Sequence, residues 1–200
     1  RIQPDCEVFG KCGGCSFRHF SYEEELRVKQ GFVEDSFHRI GKLDPEFEPI
    51  LGCDHIDGYR NKAQYPVAEI NGKVVAGFYS KRSHRVIEFT DCKLQPEIFS
   101  EVVKFILDFC NAQGISAYSE ETHRGLLRHI YLRRGEHSGE IMVCLVVTDF
   151  GKCERLHQLA EMLSQKFADI KSIVINENSK NTNVILGDKT KTIYGSDTIT

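Results

Sequence analysis

What this chain lacks narrows it first. No apolar run approaches the roughly 20 residues that cross a bilayer, so no membrane-spanning helix is expected. There is no excess of positive charge: 26 Lys and Arg stand against 29 Asp and Glu, a net charge of −3 that taken alone argues against a nucleic-acid partner. Internal repeats, low-complexity tracts and a clear linker are all absent. One compact unit, long enough to bury a core without covalent staples, is the simplest organisation. Also missing is a G-x-G loop after a strand, the device that cradles an adenosyl cofactor. The chain starts at Arg1 rather than methionine, so the lack of a secretory leader carries little weight for location.

The charge that is present is unevenly placed. Acid collects in YEEE, DPEFE and SEE, whereas Arg60 to Lys93 carries seven Lys/Arg against three Asp/Glu. Thr122 to His137 carries four Arg and three His against one Glu. A neutral total can therefore hide a basic face.

Eight cysteines are many for a chain of this size, which does not need a disulfide scaffold. Cys53, Cys110, Cys144 and Cys153 stand singly and read as small buried or half-buried hydrophobes. A reducing cytoplasm suits them. The others are grouped: CEVFGKCGGC places Cys6, Cys12 and Cys15 within ten residues, and Cys92 follows far downstream. In C-x2-C a short loop turns both sulfurs the same way, and Gly13-Gly14 lets backbone amides approach them. Cys6 is a comfortable third ligand and Cys92 a possible fourth. Four soft thiolates suit zinc or an iron–sulfur cluster equally well, and spacing does not separate them. A redox pair is the weaker alternative, because that motif normally opens a helix, and here a separate capping box follows at Ser21–Glu24.

From that box Leu26, Val33, Phe37 and Ile40 recur at helical spacing, with Gly41 as a stop and Gly31 weakening the middle, so this helix needs packing to hold it. Asn71-Gly72 signals a type I′ hairpin within Lys62 to Phe89, with Val74, Ala76 and Phe78 on one face and a third strand near Arg85–Phe89. Pro96 opens a helix striped by Ile98, Val102, Phe105 and Phe109 and ended by Gly114. Strands are expected at Leu126–Arg134 and Glu140–Thr148, then a helix with Leu156, Leu159, Ala160, Leu163 and Phe167. Further strands follow at Ser172–Asn176, Val184–Leu186 and Thr192–Tyr194. The order β-α-β-β-α-β, preceded by hairpin strands, reads as an α+β fold with a mainly antiparallel sheet and a cysteine-bearing N-terminal lobe. The expected division is 1–45 for the cysteine loop and helix and 46–200 for the α+β body.

The ordered set C-x5-C-G-G-C, SYEEELRVKQGFVEDSFHRIG, YRNKAQYPV, GFYSKRSHRVIEFTDC, GLLRHIYLR and NTNVILG resembles the RNA (uracil-5-)-methyltransferase family, in particular the branch acting on 23S ribosomal RNA. It runs from Cys6 to the C-terminus. The resemblance implies a 4Fe–4S cluster on Cys6, Cys12, Cys15 and Cys92. It implies methyl transfer from S-adenosylmethionine to C5 of uracil, with a cysteine nucleophile adding at C6 and a base removing the C5 proton. No cysteine here matches that nucleophile. The chain therefore reads as the central domain of such an enzyme, without its TRAM and S-adenosylmethionine-binding domains, inert alone and acting as a monomer in the cytoplasm. The alternative is a self-standing, metal-stabilised RNA-binding module.

Base chemistry in folded RNA requires the target to be extruded and the flanking RNA held. Period-2 alternation puts Leu127, His129, Tyr131 and Arg133 on one face of their strand and Arg128, Ile130, Leu132 and Arg134 on the other. The first face mixes cation, imidazole and phenol, a usable RNA surface; a plain solvated sheet face is the alternative. Arg60, Lys62, Lys81 and Arg82 lie in the other basic stretches, the last two where a hairpin turns. The candidate RNA-binding residues are Arg60, Lys62, Lys81, Arg82, Arg128, His129, Tyr131 and Arg133.

Overall fold

Asn71 and Gly72 adopt φ of 53° and 74°, the left-handed pair that a type I′ turn demands. They join β1 (Lys62–Ile70) to β2 (Lys73–Tyr79), with Ile70 facing Lys73 across the turn. This hairpin seeds one end of the sheet in a computed structural model that describes all of residues 1–200. The remaining elements are β3 (Val86–Glu88), α2 (Glu97–Gln113), β4 (Leu127–Arg134), β5 (Ile141–Val147), α3 (Glu154–Lys166), β6 (Ile170–Glu177) and β7 (Lys189–Gly195), all preceded by α1 (Tyr22–Asp35).

The strands form one seven-stranded sheet in the order β3-β2-β1-β4-β5-β6-β7. Every neighbouring pair is antiparallel except β5–β6. Parallel neighbours need a crossover, and α3 provides it. The expected α+β class with a mainly antiparallel sheet is what forms.

Alternation along the strands sends Ala63, Tyr65, Val67, Ile130, Leu132, Val143, Leu145, Ile173 and Ile175 into one core with α2 and α3. On α3 the expected Leu156, Leu159, Ala160 and Leu163 are all buried, and Phe167 closes that layer. On α2 the stripe is rotated from the expected one. Phe99, Val102, Val103, Ile106, Phe109 and Cys110 are buried, while Ile98 and Phe105 pack only at the margin. The helix is apolar over more than one stripe, so contact with both sheet and α3 decides which side faces in. Gly114 ends α2 in the left-handed conformation, φ 65°, as its position suggests.

Three expectations are corrected. No strand forms at Val184–Leu186. The Asn178 side-chain amide donates to the carbonyls of Val184 (2.6 Å) and Ile185 (3.0 Å), and Asn176 exchanges hydrogen bonds with Gly187. These local bonds occupy the backbone groups a ladder would need. Pairing against β5 and β7 instead lengthens β6 beyond Ser172–Asn176. Of the four single cysteines, Cys110, Cys144 and Cys153 are buried but Cys53 is exposed, its thiol 3.1 Å from the His55 carbonyl.

The N-terminal lobe follows a different rule. Ser21 caps α1 by accepting from the Glu24 amide (3.3 Å), but Glu24 turns outward to Arg27 rather than completing the box. A π-helical turn at Ser36–Gly41 continues α1, and Lys42, not Gly41, takes the left-handed stop at φ 54°. No residue of α1 is buried. Phe32, Val33 and Ile40 are 59%, 49% and 83% exposed, and Ala63 is the first buried residue of the chain. The packing that α1 needs does not come from the sheet.

Candidate functional site

The cysteine loop is built from tight turns. Phe9 N–H donates to Cys6 O (3.1 Å), Lys11 and Cys12 N–H both donate to Val8 O (3.0 Å each), and Gly10 sits at φ 83°. Gly14 N–H points at Cys12 Sγ (3.4 Å). Cys12 bridges antiparallel to Ser80, and Lys81 N–H reaches Lys11 O (3.4 Å). Cys92 lies in the turn after β3, its carbonyl accepting from Gln95 (3.1 Å). The tertiary structure thus brings all four grouped cysteines together. Burial raises the Cys15 thiol, and the thiols of Cys92, Cys6 and Cys12 raise it further against the pull of Arg60. Cys92 is likewise raised by burial, with the Leu94 amide and Arg60 opposing.

No three His, Cys, Asp or Glu side chains are gathered tightly enough to hold a metal ion. The four thiols do lie near enough to raise one another's pKa. The Gly14 amide at Cys12, the Leu94 amide at Cys92 and the Arg60 cation favour their charged form, the form in which soft ligands take zinc or an iron–sulfur cluster.

The basic face lies on β1 and β4. Their register sets Lys62 opposite Arg133, Gln64 opposite Tyr131 and Pro66 opposite His129. Lys62 and Arg133 are exposed, and Tyr131 is half-buried beside them. Like charges directly across a strand pair cost stability. The ion pairs of the molecule involve none of Arg60, Lys62, Lys81, Arg82 or Arg133. Lys81 and Arg82 occupy the exposed β2–β3 turn, with Arg82 at φ 55°. That turn rests against the cysteine loop on one side. On the other, His84 Nδ1 lies 2.9 Å from Glu120 and its ring stacks on Tyr79.

Arg128 and His129, both candidate RNA contacts, are buried. A β-bulge sets Leu127 opposite Val147 and His129 opposite Val146, leaving Arg128 as the extra residue. Leu127 rejoins the core with Ile130 and Leu132. Arg128 is 5% exposed, its guanidinium 4.3 Å from the centre of the Tyr118 ring, with Nη1 donating to the Asn178 and Lys180 carbonyls (2.8 Å each). His129 is 8% exposed, and burial, assisted by Arg128, pushes its pKa down to about 4. Arg128 thus anchors the loop after β6, while neither ring nitrogen of His129 has a hydrogen-bond partner in the protein. Arg18, which sequence reading passed over, proves central to the lobe: it pairs with Asp5 and with Asp57, the latter 39 residues away, beyond any local pattern.

The one parallel crossover, from β5 through α3 to β6, begins with Thr148-Asp149-Phe150-Gly151-Lys152-Cys153.

No family model matches the chain. Curated proteins do. An uncharacterized RNA methyltransferase of Halalkalibacterium halodurans is 43% identical over 200 residues, covering all of this chain and 43% of the relative. One from Oceanobacillus iheyensis is also 43% identical, and one from Clostridium tetani 38%, with the same coverage. This chain is a relative of RNA methyltransferases. It spans less than half the length of those relatives. Among solved structures, the Pyrococcus abyssi tRNA (uracil-54, C5)-methyltransferase in complex with S-adenosyl-L-homocysteine superposes with a TM-score of 0.69 at 21% identity, over 97% of this chain and 43% of that one. Its fold is shared, and the curated relatives bear out the RNA-methyltransferase part of the resemblance carried by the motifs.

Proposed function

We propose that this chain is the central, RNA-gripping part of an S-adenosylmethionine-dependent enzyme that forms 5-methyluridine in 23S ribosomal RNA, working in the cytoplasm as a monomer. The observation that carries the RNA reading is the uncompensated pair Lys62 and Arg133, in register beside Tyr131. A phosphate between the two cations relieves their repulsion, and an unstacked base can lie on the adjacent phenol. Arg60 extends this surface toward the cysteines, and Lys81 and Arg82 add a second grip from the β2–β3 turn. Arg128 supports it from below by holding the loop that follows β6, beside the buried His129.

In this reading Cys6, Cys12, Cys15 and Cys92 hold a 4Fe–4S cluster. It supplies a crosslink between the N-terminal loop and the end of β3, not an electron. The methyl donor and the uracil-attacking cysteine belong to parts of the enzyme outside these 200 residues, so the chain binds without turning over. The choice of 23S ribosomal RNA rests on the motif resemblance.

Competition binding separates these claims. Fragments of 23S ribosomal RNA are expected to bind more tightly than tRNA, with a steep salt dependence that shrinks by about 0.7 to 0.9 in log–log slope, one phosphate contact, in Lys62→Ala/Arg133→Ala. Preference for tRNA would change the substrate and leave the RNA reading standing. An unchanged slope in the double variant would remove Lys62 and Arg133 from the interface.

A further inference from the structure

We infer that Arg18 is the positioning residue that assembles the four-cysteine site before any metal arrives. The inference rests on reading these cysteines as a metal site. Residues 1–61 contain no buried residue, so apolar packing is a weak means of bringing Cys6 and Cys15 to Cys92. Three lengths of chain converge instead on one guanidinium. Arg18 Nε and Nη2 donate to the two oxygens of Asp5, at 2.6 and 2.7 Å. Nη1 and Nη2 donate to the two oxygens of Asp57, the second at 3.1 Å.

Each partner leads directly to a cysteine. Asp5 precedes Cys6, and Arg18 follows Cys15 by three residues. Asp57 opens the segment whose Gly58 and Arg60 amides donate to the Lys93 and Leu94 carbonyls, 2.8 Å each, immediately after Cys92. The clasp therefore ties the Cys6, Cys15 and Cys92 segments together, while Cys12 is seated separately through its bridge to Ser80.

Exposed ion pairs usually contribute little, but this one is unlike them. The Arg18 side chain is only 14% exposed, and it makes two forked pairs at once, a geometry the planar guanidinium allows and an ammonium does not. Lysine at this position keeps the charge and loses the fork.

The test compares the full chain with Arg18→Ala and Arg18→Lys under anaerobic reconstitution with ferrous iron and sulfide. Iron and sulfide per chain are read beside amide exchange of the metal-free proteins. The wild type is expected to load and both variants to load several-fold less. Without metal, amides in 5–18 and 57–60 of the variants should exchange about tenfold faster, while those of β1–β7 stay unchanged, which shows the body folded. Equal loading of wild type and Arg18→Ala would overturn the inference. If the wild type itself takes up no iron or sulfide, the cluster reading fails on its own. Exchange then decides the clasp: faster in both segments supports it, and unchanged exchange sinks it.

Discussion

Lys62 and Arg133 stand directly opposite each other on β1 and β4, two exposed cations in register with no carboxylate paired to either. Repulsion in this position is tolerated by the fold but not required by it. Lys62→Glu should therefore raise stability by about 0.5 kcal/mol through a cross-strand ion pair and at the same time weaken RNA binding. Urea midpoints and RNA titrations on the same preparations check both halves. A variant that gains stability and keeps its RNA affinity would show that the pair has no part in the interface.

Anaerobically purified protein should be brown, with iron and sulfide in near-equal amounts. Elemental analysis with a sulfide assay measures this directly. Stoichiometric zinc without iron would falsify the cluster assignment.

His129 predicts an acid-side loss of stability. Burial and Arg128 push its pKa down to about 4 from an ordinary 6.5, with Glu120 only partly opposing. Between those two values the unfolded chain binds the proton and the folded chain does not. Its contribution is thus complete above about pH 6.5 and declines as pH falls toward 4, by at most about 3 kcal/mol. His129→Leu should flatten that part of the melting-temperature profile. A profile identical to wild type would mean the imidazole titrates normally in the folded state.

Gly77 lies in β2 where a Cβ would stand 1.8 Å from the Ile87 carbonyl oxygen. Gly77→Ala should peel β3 from β2, costing about 1–3 kcal/mol, and displace Cys92, four residues past the end of β3. A lowered urea midpoint together with reduced iron content is expected. Full iron loading in a destabilised variant would show that β3 does not position Cys92.

Much of the body was readable locally because its determinants are local. The Asn71-Gly72 turn, the Gly114 stop and the buried face of α3 each follow from dihedral preference or periodicity. The α2 stripe was not, since its sequence is apolar on more than one side and only the neighbours choose. Alternation failed on β4 at a single point: one extra residue at Arg128 shifts every side chain before it to the other face. The absent Val184–Leu186 strand has a similar cause, two asparagines capturing the backbone first.

By itself the sequence determined the fold class, the apolar content of the two core helices, the family likeness and the four cysteines worth grouping. Each depends on residue type and spacing within a few turns of chain. The tertiary structure alone decided which cations face solvent in register, why Arg128 and His129 turn inward, and how Asp5, Arg18 and Asp57 meet. Those relationships join residues tens of positions apart, and their energy comes from burial and ion pairing that exist only once strand order and register are set.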